Sequence, residues 1–210
     1  MSMLFPLFLK LEGRRCLVVG AGVIGEGKIS GLLESGAEIR VVAPEATRRV
    51  QQWATAGRVR WFQREFREAD IDGCLCVVAA TSSSALHRRI FRLAKRYGVL
   101  CNVVDVPELC DFYYPAVVRR GALQIAISTA GESPALAQRL RKKLEKQFGP
   151  VYAAWVKQIG AARRKQGASA EDTDAKKSRL HALASEHSFR AFQRKFGNGR
   201  RGKRPPKQAK

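Results

Sequence analysis

Apolar positions in the first hundred residues fall into two alternating rhythms. Unbroken apolar runs occur at Cys16-Leu17-Val18-Val19, at Val41-Val42-Ala43 and over residues 74–80, and largely apolar strand segments lie over residues 99–104, interrupted by Asn102, and at 59–62, interrupted by Arg60. A run without polar alternation suits a strand covered on both faces, the habit of parallel sheets. Between the runs the apolar residues change to helical spacing: Ile29, Leu32 and Leu33 before Gly36, a polar-apolar stretch over 45–56, and Leu86, Ile90, Leu93 and Ala94 in a segment that Ser84 can cap and Gly98 can end. The second strand is expected over 37–43, closed by Pro44. Strands and helices alternating at this rhythm predict an α/β, Rossmann-like domain built on a parallel, doubly wound sheet.

The rhythm breaks at Pro115. Residues 116–119 and 123–128 read as two strands with no helix between them, hence a hairpin turning at Arg120-Gly121. Ser133-Pro134 then supplies an N-cap and an N1 proline for a helix to Phe148, stopped by Gly149-Pro150. Leu136, Leu140 and Leu144 form one stripe of that helix, and Arg139, Arg141, Lys142, Lys143 and Lys146 cover the rest. Further helical spacing follows around a polar linker at 167–174, and a basic tail closes the chain. The expected organisation is a nucleotide-binding domain at 1–114, a small α+β segment at 115–149, a C-terminal helical domain at 150–196 and a disordered tail at 197–210.

The glycines that leave the first strand, Gly20-x-Gly22-x-x-Gly25, add chemistry to this frame. Gly20 makes the tight strand-to-helix turn, Gly22 lets a pyrophosphate approach the backbone, and Gly25 lets the helix pack closely on the strand. The helix N-terminus then meets the phosphates with its free N–H groups. Two further strand ends face the same edge: Thr81 after the third long run, as a cofactor contact or a helix cap, and Asp105 after the fourth. Asp105 reads either as a general base or ligand for a cationic group, or as a turn cap. The acidic residue expected at the tip of the second strand is displaced to Glu45, and Arg48 and Arg49 stand nearby, so these residues alone leave NAD and NADP both open.

Charge separates the two halves. Of the formal net +21, residues 1–114 carry 16 Lys and Arg against 12 Asp and Glu, whereas residues 115–210 carry 23 against 6. The second half calls for a polyanion, although without interleaved aromatics or a helix-turn-helix pattern it implies at most nonspecific affinity for nucleic acid. Five cysteines, an odd set without CxxC spacing, fit a reducing cytoplasm. The apolar N-terminal stretch is short and broken by Pro6, unlike a signal peptide or a membrane span. Three scattered histidines form no metal pattern.

Four segments together carry a family resemblance: Phe5-Pro6-Leu7-Phe8-Leu9 with the run from Gly13 to Gly22; Val41-Val42-Ala43-Pro44; Cys101-Asn102-Val103-Val104-Asp105; and Ser128-Thr129-Ala130-Gly131-Glu132-Ser133-Pro134-Ala135-Leu136-Ala137. Over roughly residues 4–165 the chain resembles the precorrin-2 dehydrogenase family, enzymes of sirohaem synthesis that also occur as the N-terminal half of bacterial sirohaem synthase. The resemblance implies NAD-dependent oxidation of precorrin-2, a tetrapyrrole with eight carboxylates, to sirohydrochlorin, in some members with insertion of ferrous iron, by a homodimer joined through the central strands and helix. It puts Asp105 at the catalytic aspartate, Val23, Ile24, Pro44 and Glu45 at cofactor-contacting positions, and Asn102, Ser128, Thr129, Ser133 and Arg139 among the expected substrate contacts. Thr129 stands where some relatives carry a phosphorylatable serine. No methyltransferase domain follows, so another protein is expected to supply precorrin-2. The rival reading is a non-catalytic Rossmann module that senses NAD and binds a polyanion through its basic half.

Overall fold

The computed structural model describes residues 4–167 and 173–196. The expected basic tail and most of the expected polar linker lie outside them. The chain divides into two compact units that part between Tyr114 and Pro115.

The first unit is a five-stranded, all-parallel sheet in the order β3-β2-β1-β4-β5, formed by β1 (Arg15–Ala21), β2 (Glu38–Ala46), β3 (Arg60–Phe62), β4 (Cys76–Ala79) and β5 (Leu100–Val103). Three helices connect them: α1 (Val23–Glu34), α2 (Arg48–Thr55) and α3 (Ser84–Tyr97). Alternation along β1 sorts the core into two layers. Cys16 and Val18 pack with Ile29 and Leu32 of α1 and Val50 and Trp53 of α2, while Leu17 and Val19 pack with Ile90, Leu93 and Ala94 of α3. Both faces of β1 are thereby covered, which is why its sequence shows no polar alternation.

Two boundaries differ from the sequence expectation. β2 runs past Pro44 to Ala46, because its pairing with β3 ends at Val42↔Phe62 and Ala46 pairs with Ala21 of β1 on the other side. With no neighbour on that edge, the missing proline N–H leaves no ladder bond unmade. α3 is capped by Ser83 instead of Ser84: its hydroxyl accepts from the Leu86 N–H at 3.2 Å.

In the second unit β6 (Ala116–Arg120) and β7 (Leu123–Ile127) form an antiparallel hairpin. Arg120 pairs with Leu123, so the loop is Gly121-Ala122, one residue later than expected. Gly121, at φ +60, supplies the first central residue of a two-residue hairpin turn that a side chain would disfavour. α4 (Pro134–Gln147) starts as its sequence predicts, with Ser133 Oγ accepting from Leu136 N at 3.2 Å. Its far end is held by Arg120, which donates to the carbonyls of Phe148 and Glu145 at 2.7 and 2.9 Å. Ala137 of α4 is buried, but Leu136 and Leu140 remain exposed. Helices α5 (Val151–Gly167), α6 (Thr173–Leu183) and α7 (Glu186–Phe196) follow. Tyr152 and Trp155 of α5 close on Phe189 of α7 with ring centroids 4.4 and 4.7 Å apart.

Candidate active site

The carboxyl ends of β1, β2, β4 and β5 meet where the strand order reverses, between β1 and β4, and open α/β sheets bind ligands at that point. The glycines divide the work there. Gly20 sits at φ +96, and a Cβ on it would lie 2.3 Å from the Ala80 carbonyl oxygen; a Cβ on Gly25 would lie 2.2 Å from the carbonyl oxygen of Gly20. Both therefore serve the protein's own packing, holding α1 against β1 and β4. Gly22 is different. Its φ of −72° suits any residue, and a Cβ there would meet nothing within 4 Å. Internal packing does not ask for glycine at this position, whereas a ligand backed against the chain does. Gly22 is also the N-cap of α1 and brings no side-chain cap, and the next two residues, Val23 and Ile24, are 82% and 54% exposed. The first-turn N–H groups of a twelve-residue helix thus end in open space, a fitting seat for the pyrophosphate of a dinucleotide.

Pro44 and Glu45 are exposed near the end of β2. Thr81 lies beyond β4, with its methyl carbon 3.1 Å from the Cβ position of Gly20, and its hydroxyl accepts from Ser83 N at 3.3 Å. The Thr81 carbonyl bonds the ring of His87, 2.9 Å away and 8% exposed, so this histidine pins the strand end beside the glycine turn. The fold thereby brings Gly20, Gly22, Gly25 and Thr81 into one cradle.

Asp105 is exposed just beyond β5 and holds φ +60, the left-handed region, where a side chain costs about 1–2 kcal/mol and Asp and Asn are tolerated best. The loop that follows is braced against β5. Asn102, 6% exposed, donates to the Phe112 carbonyl at 2.8 Å; the Asp111 carboxylate accepts from Cys101 N at 2.9 Å and pairs with Lys95; the Cys110 thiol donates to the Val103 carbonyl at 3.1 Å. Asn102, expected as a substrate contact, spends its amide on this brace.

Sequence reasoning passed over Lys28. It projects from α1 with its Nζ 3.8 Å from the centroid of the Tyr114 ring. Burial pulls its pKa down, and the nearby Asp105 carboxylate and Cys110 thiol pull it back up. No spacing rule marks a lysine on the second turn after a glycine motif, and only the packing of α1 beside the loop after β5 reveals it.

The remaining expected substrate contacts belong to the second unit. Ser128 Oγ accepts from Ala130 N and Thr129 Oγ1 from Ser133 N, each at 3.1 Å, and Ala130 is held at φ +51. Ser133 caps α4, and Arg139 is exposed on that helix. Among the described residues no group of three or more His, Cys, Asp and Glu could hold a metal, and no helix is long and apolar enough to cross a membrane.

A parallel sheet of this order, with a tight glycine turn feeding an open helix N-terminus, defines a dinucleotide-binding protein of the Rossmann class. Residues 7–116 match the family model described as "Putative NAD(P)-binding", and residues 120–147 match "Sirohaem biosynthesis protein central". The chain is 41% identical over 147 residues to a siroheme synthase of Nitrosococcus oceani, covering 70% of this chain and 31% of that protein, and 42% identical over 141 residues to one of Neisseria meningitidis serogroup C, covering 67% and 29%. It spans about a third of the length of these relatives. A solved structure of SirC, a precorrin-2 dehydrogenase, superposes with a TM-score of 0.72 at 27% identity, covering 91% of this chain and 98% of that one. The chain belongs to this NAD(P)-binding family of sirohaem biosynthesis proteins.

Proposed function

We propose that the chain oxidises precorrin-2 to sirohydrochlorin with NAD as acceptor. The likeness to a precorrin-2 dehydrogenase along nearly the whole of that enzyme carries the reading, and the cradle at Gly22 and the aspartate at the adjoining strand end give it a site. When bound, the nicotinamide takes the hydride, so the protein has chiefly to position the reactants. The backbone at Gly22, Val23 and Ile24 holds the pyrophosphate, and Pro44, Glu45 and Thr81 flank the rest of the cofactor. Asp105 takes the proton released as the hydride leaves. Glu45, exposed near the end of β2, favours NAD through a ribose hydroxyl, and Arg49 is already engaged, 3.7 Å from Glu26 and stacked 5.1 Å over Trp53. Arg48 beside it is exposed, so the preference for NAD rests on Glu45 and not on the want of an arginine.

Ser128, Thr129, Ser133 and Arg139 belong in this reading to the substrate side, where the strong positive charge of residues 115–210 suits a polycarboxylated tetrapyrrole. The working form is a homodimer in the cytoplasm, joined through segment 115–149, whose exposed Leu136 and Leu140 offer an apolar stripe for a second copy. Residues 150–196 form the helical domain of each subunit. Full-length protein incubated with precorrin-2 and either NAD or NADP tests the proposal by absorbance. Sirohydrochlorin formed faster with NAD is the expected result, and no turnover with either cofactor refutes it. Ferrous iron added after the first step tests metal insertion in the same preparation.

A further inference from the structure

The ammonium of Lys28 is half-buried and stacked on the ring of Tyr114, yet among the described residues no hydrogen bond or ion pair ends on it. Partly buried donors of this strength ordinarily meet an acceptor, and a lysine near Asp105 without one has its donors available to a ligand. The ligand group it awaits can be narrowed. The pyrophosphate seat is the first turn of α1, at Gly22 to Ile24, whereas Lys28 is about 7 Å further along the axis at 1.5 Å per residue. Its neighbours Asp105, Cys110 and Tyr114 all come from the segment after β5, which carries the reacting edge and not the phosphate turn. A full ammonium charge at this depth favours an anionic acceptor over a neutral one, and the Asp105 carboxylate offsets only part of that preference. Tyr114 covers one side of the ammonium, which leaves the N–H groups not directed at the ring face for a ligand.

We propose that Lys28 is a substrate-binding residue, the anchor for one carboxylate of an anionic tetrapyrrole, which it registers against Asp105. This rests on the function proposed above and assigns to its site a residue that the glycine motif does not include. Binding of one carboxylate then fixes which edge of the macrocycle faces Asp105, so Lys28 acts on orientation as well as affinity.

The test uses the full chain as wild type, Lys28→Met, Lys28→Gln and Lys28→Arg. Binding of sirohydrochlorin is followed by quenching of intrinsic fluorescence, NAD binding by calorimetry, and turnover of precorrin-2 by absorbance. Met and Gln keep the stem while removing the charge, and should raise the Kd for sirohydrochlorin and the KM for precorrin-2 by about tenfold, the effect of losing one charged hydrogen bond, while the NAD Kd stays unchanged. Lys28→Arg should recover most of the loss. Unchanged sirohydrochlorin binding in both neutral variants overturns the anchor while leaving the dehydrogenase reading intact. A parallel rise in the NAD Kd overturns it too, because Lys28 then belongs to the cofactor. If wild type binds sirohydrochlorin through Lys28 but never oxidises precorrin-2, the anchor stands and the dehydrogenase reading falls.

Discussion

Replacing Gly22 with Asp separates the two things a helix N-terminus can do. In the free protein Gly22 occupies the N-cap of α1 with extended backbone, φ −72 and ψ −172, offers no side-chain cap, and leaves room for a Cβ with nothing within 4 Å. Asp is among the best N-cap residues, because its carboxylate accepts from the N2 or N3 N–H and favours the positive end of the helix dipole. The substitution should therefore stabilise the unliganded protein, by about 0.2–0.4 kcal/mol, the difference between Asp and Gly at an N-cap. For a unit of this size that raises the melting temperature by about 1–2 °C. The same carboxylate takes the N–H groups that a pyrophosphate needs and sets a negative charge beside it. Two unit charges about 4 Å apart repel by some 4 kcal/mol at an effective dielectric near 20, and solvent screening at this exposed turn reduces that. A loss of at least tenfold in NAD affinity, about 1.4 kcal/mol, is the floor. Thermal melting by circular dichroism and titration calorimetry on one preparation read the two effects, which have opposite signs. If Gly22→Asp binds NAD as wild type does, the pyrophosphate does not sit at this helix end and the argument from the empty space at Gly22 is wrong; if it melts lower than wild type, the capping argument is wrong.

Asp105→Asn keeps a residue type tolerant of φ +60 and removes the charge, so dehydrogenation should fall by a factor on the order of 10² or more while NAD affinity and melting temperature hold; activity lost only in proportion to stability makes Asp105 a turn residue. Asp70 should support the fold in a pH-dependent way. Burial pushes its pKa up, but hydrogen bonds from Arg64 and from Arg67 N, together with the charges of both arginines, hold it below the ordinary carboxylate value. Its contribution is present at neutral pH and disappears as pH falls below about 4 and through the folded pKa. Asp70→Asn should thus cost about 1.5–3 kcal/mol at pH 7 in denaturant titrations, the range for hydrogen bonds to a charged group, and progressively less in acid; a pH-independent deficit contradicts this. The cysteines should divide by accessibility: the hydrogen bond with Cys16 and burial push the Cys76 thiol up, and burial pushes Cys74 up, Cys101 up to about 12 and Cys110 up as well. Only Cys110, the one incompletely buried, should be alkylated in the native protein at neutral pH, as mass spectrometry of labelled peptides will show.

The architecture of the first unit was legible because each of its features has a local cause. Unbroken apolar runs signal strands buried on both faces, and Gly20 and Gly25 are required by contacts that the chain makes with itself. Boundaries were less legible where a partner strand decides them: β2 passes Pro44 only because β3 has already ended, and nothing within residues 38–46 announces that. The hairpin turn moved by one residue for a related reason, since cross-strand pairing of Arg120 with Leu123 sets the register that the glycine alone leaves open.

The site follows the same division. The proposed phosphate seat is a local motif and can be read from three glycines, but the surroundings of Asp105 are assembled by packing. Asn102 donates to the Phe112 carbonyl, a partner that only the folded loop supplies. Lys28 shares no local pattern with Asp105, some eighty residues away, and reaches it only because α1 returns along the sheet beside the loop after β5. A residue that serves a site through tertiary approach leaves no periodicity to detect. What betrays it is an imbalance in the folded chain, here an ammonium stacked on a ring with no hydrogen bond or ion pair to it among the described residues.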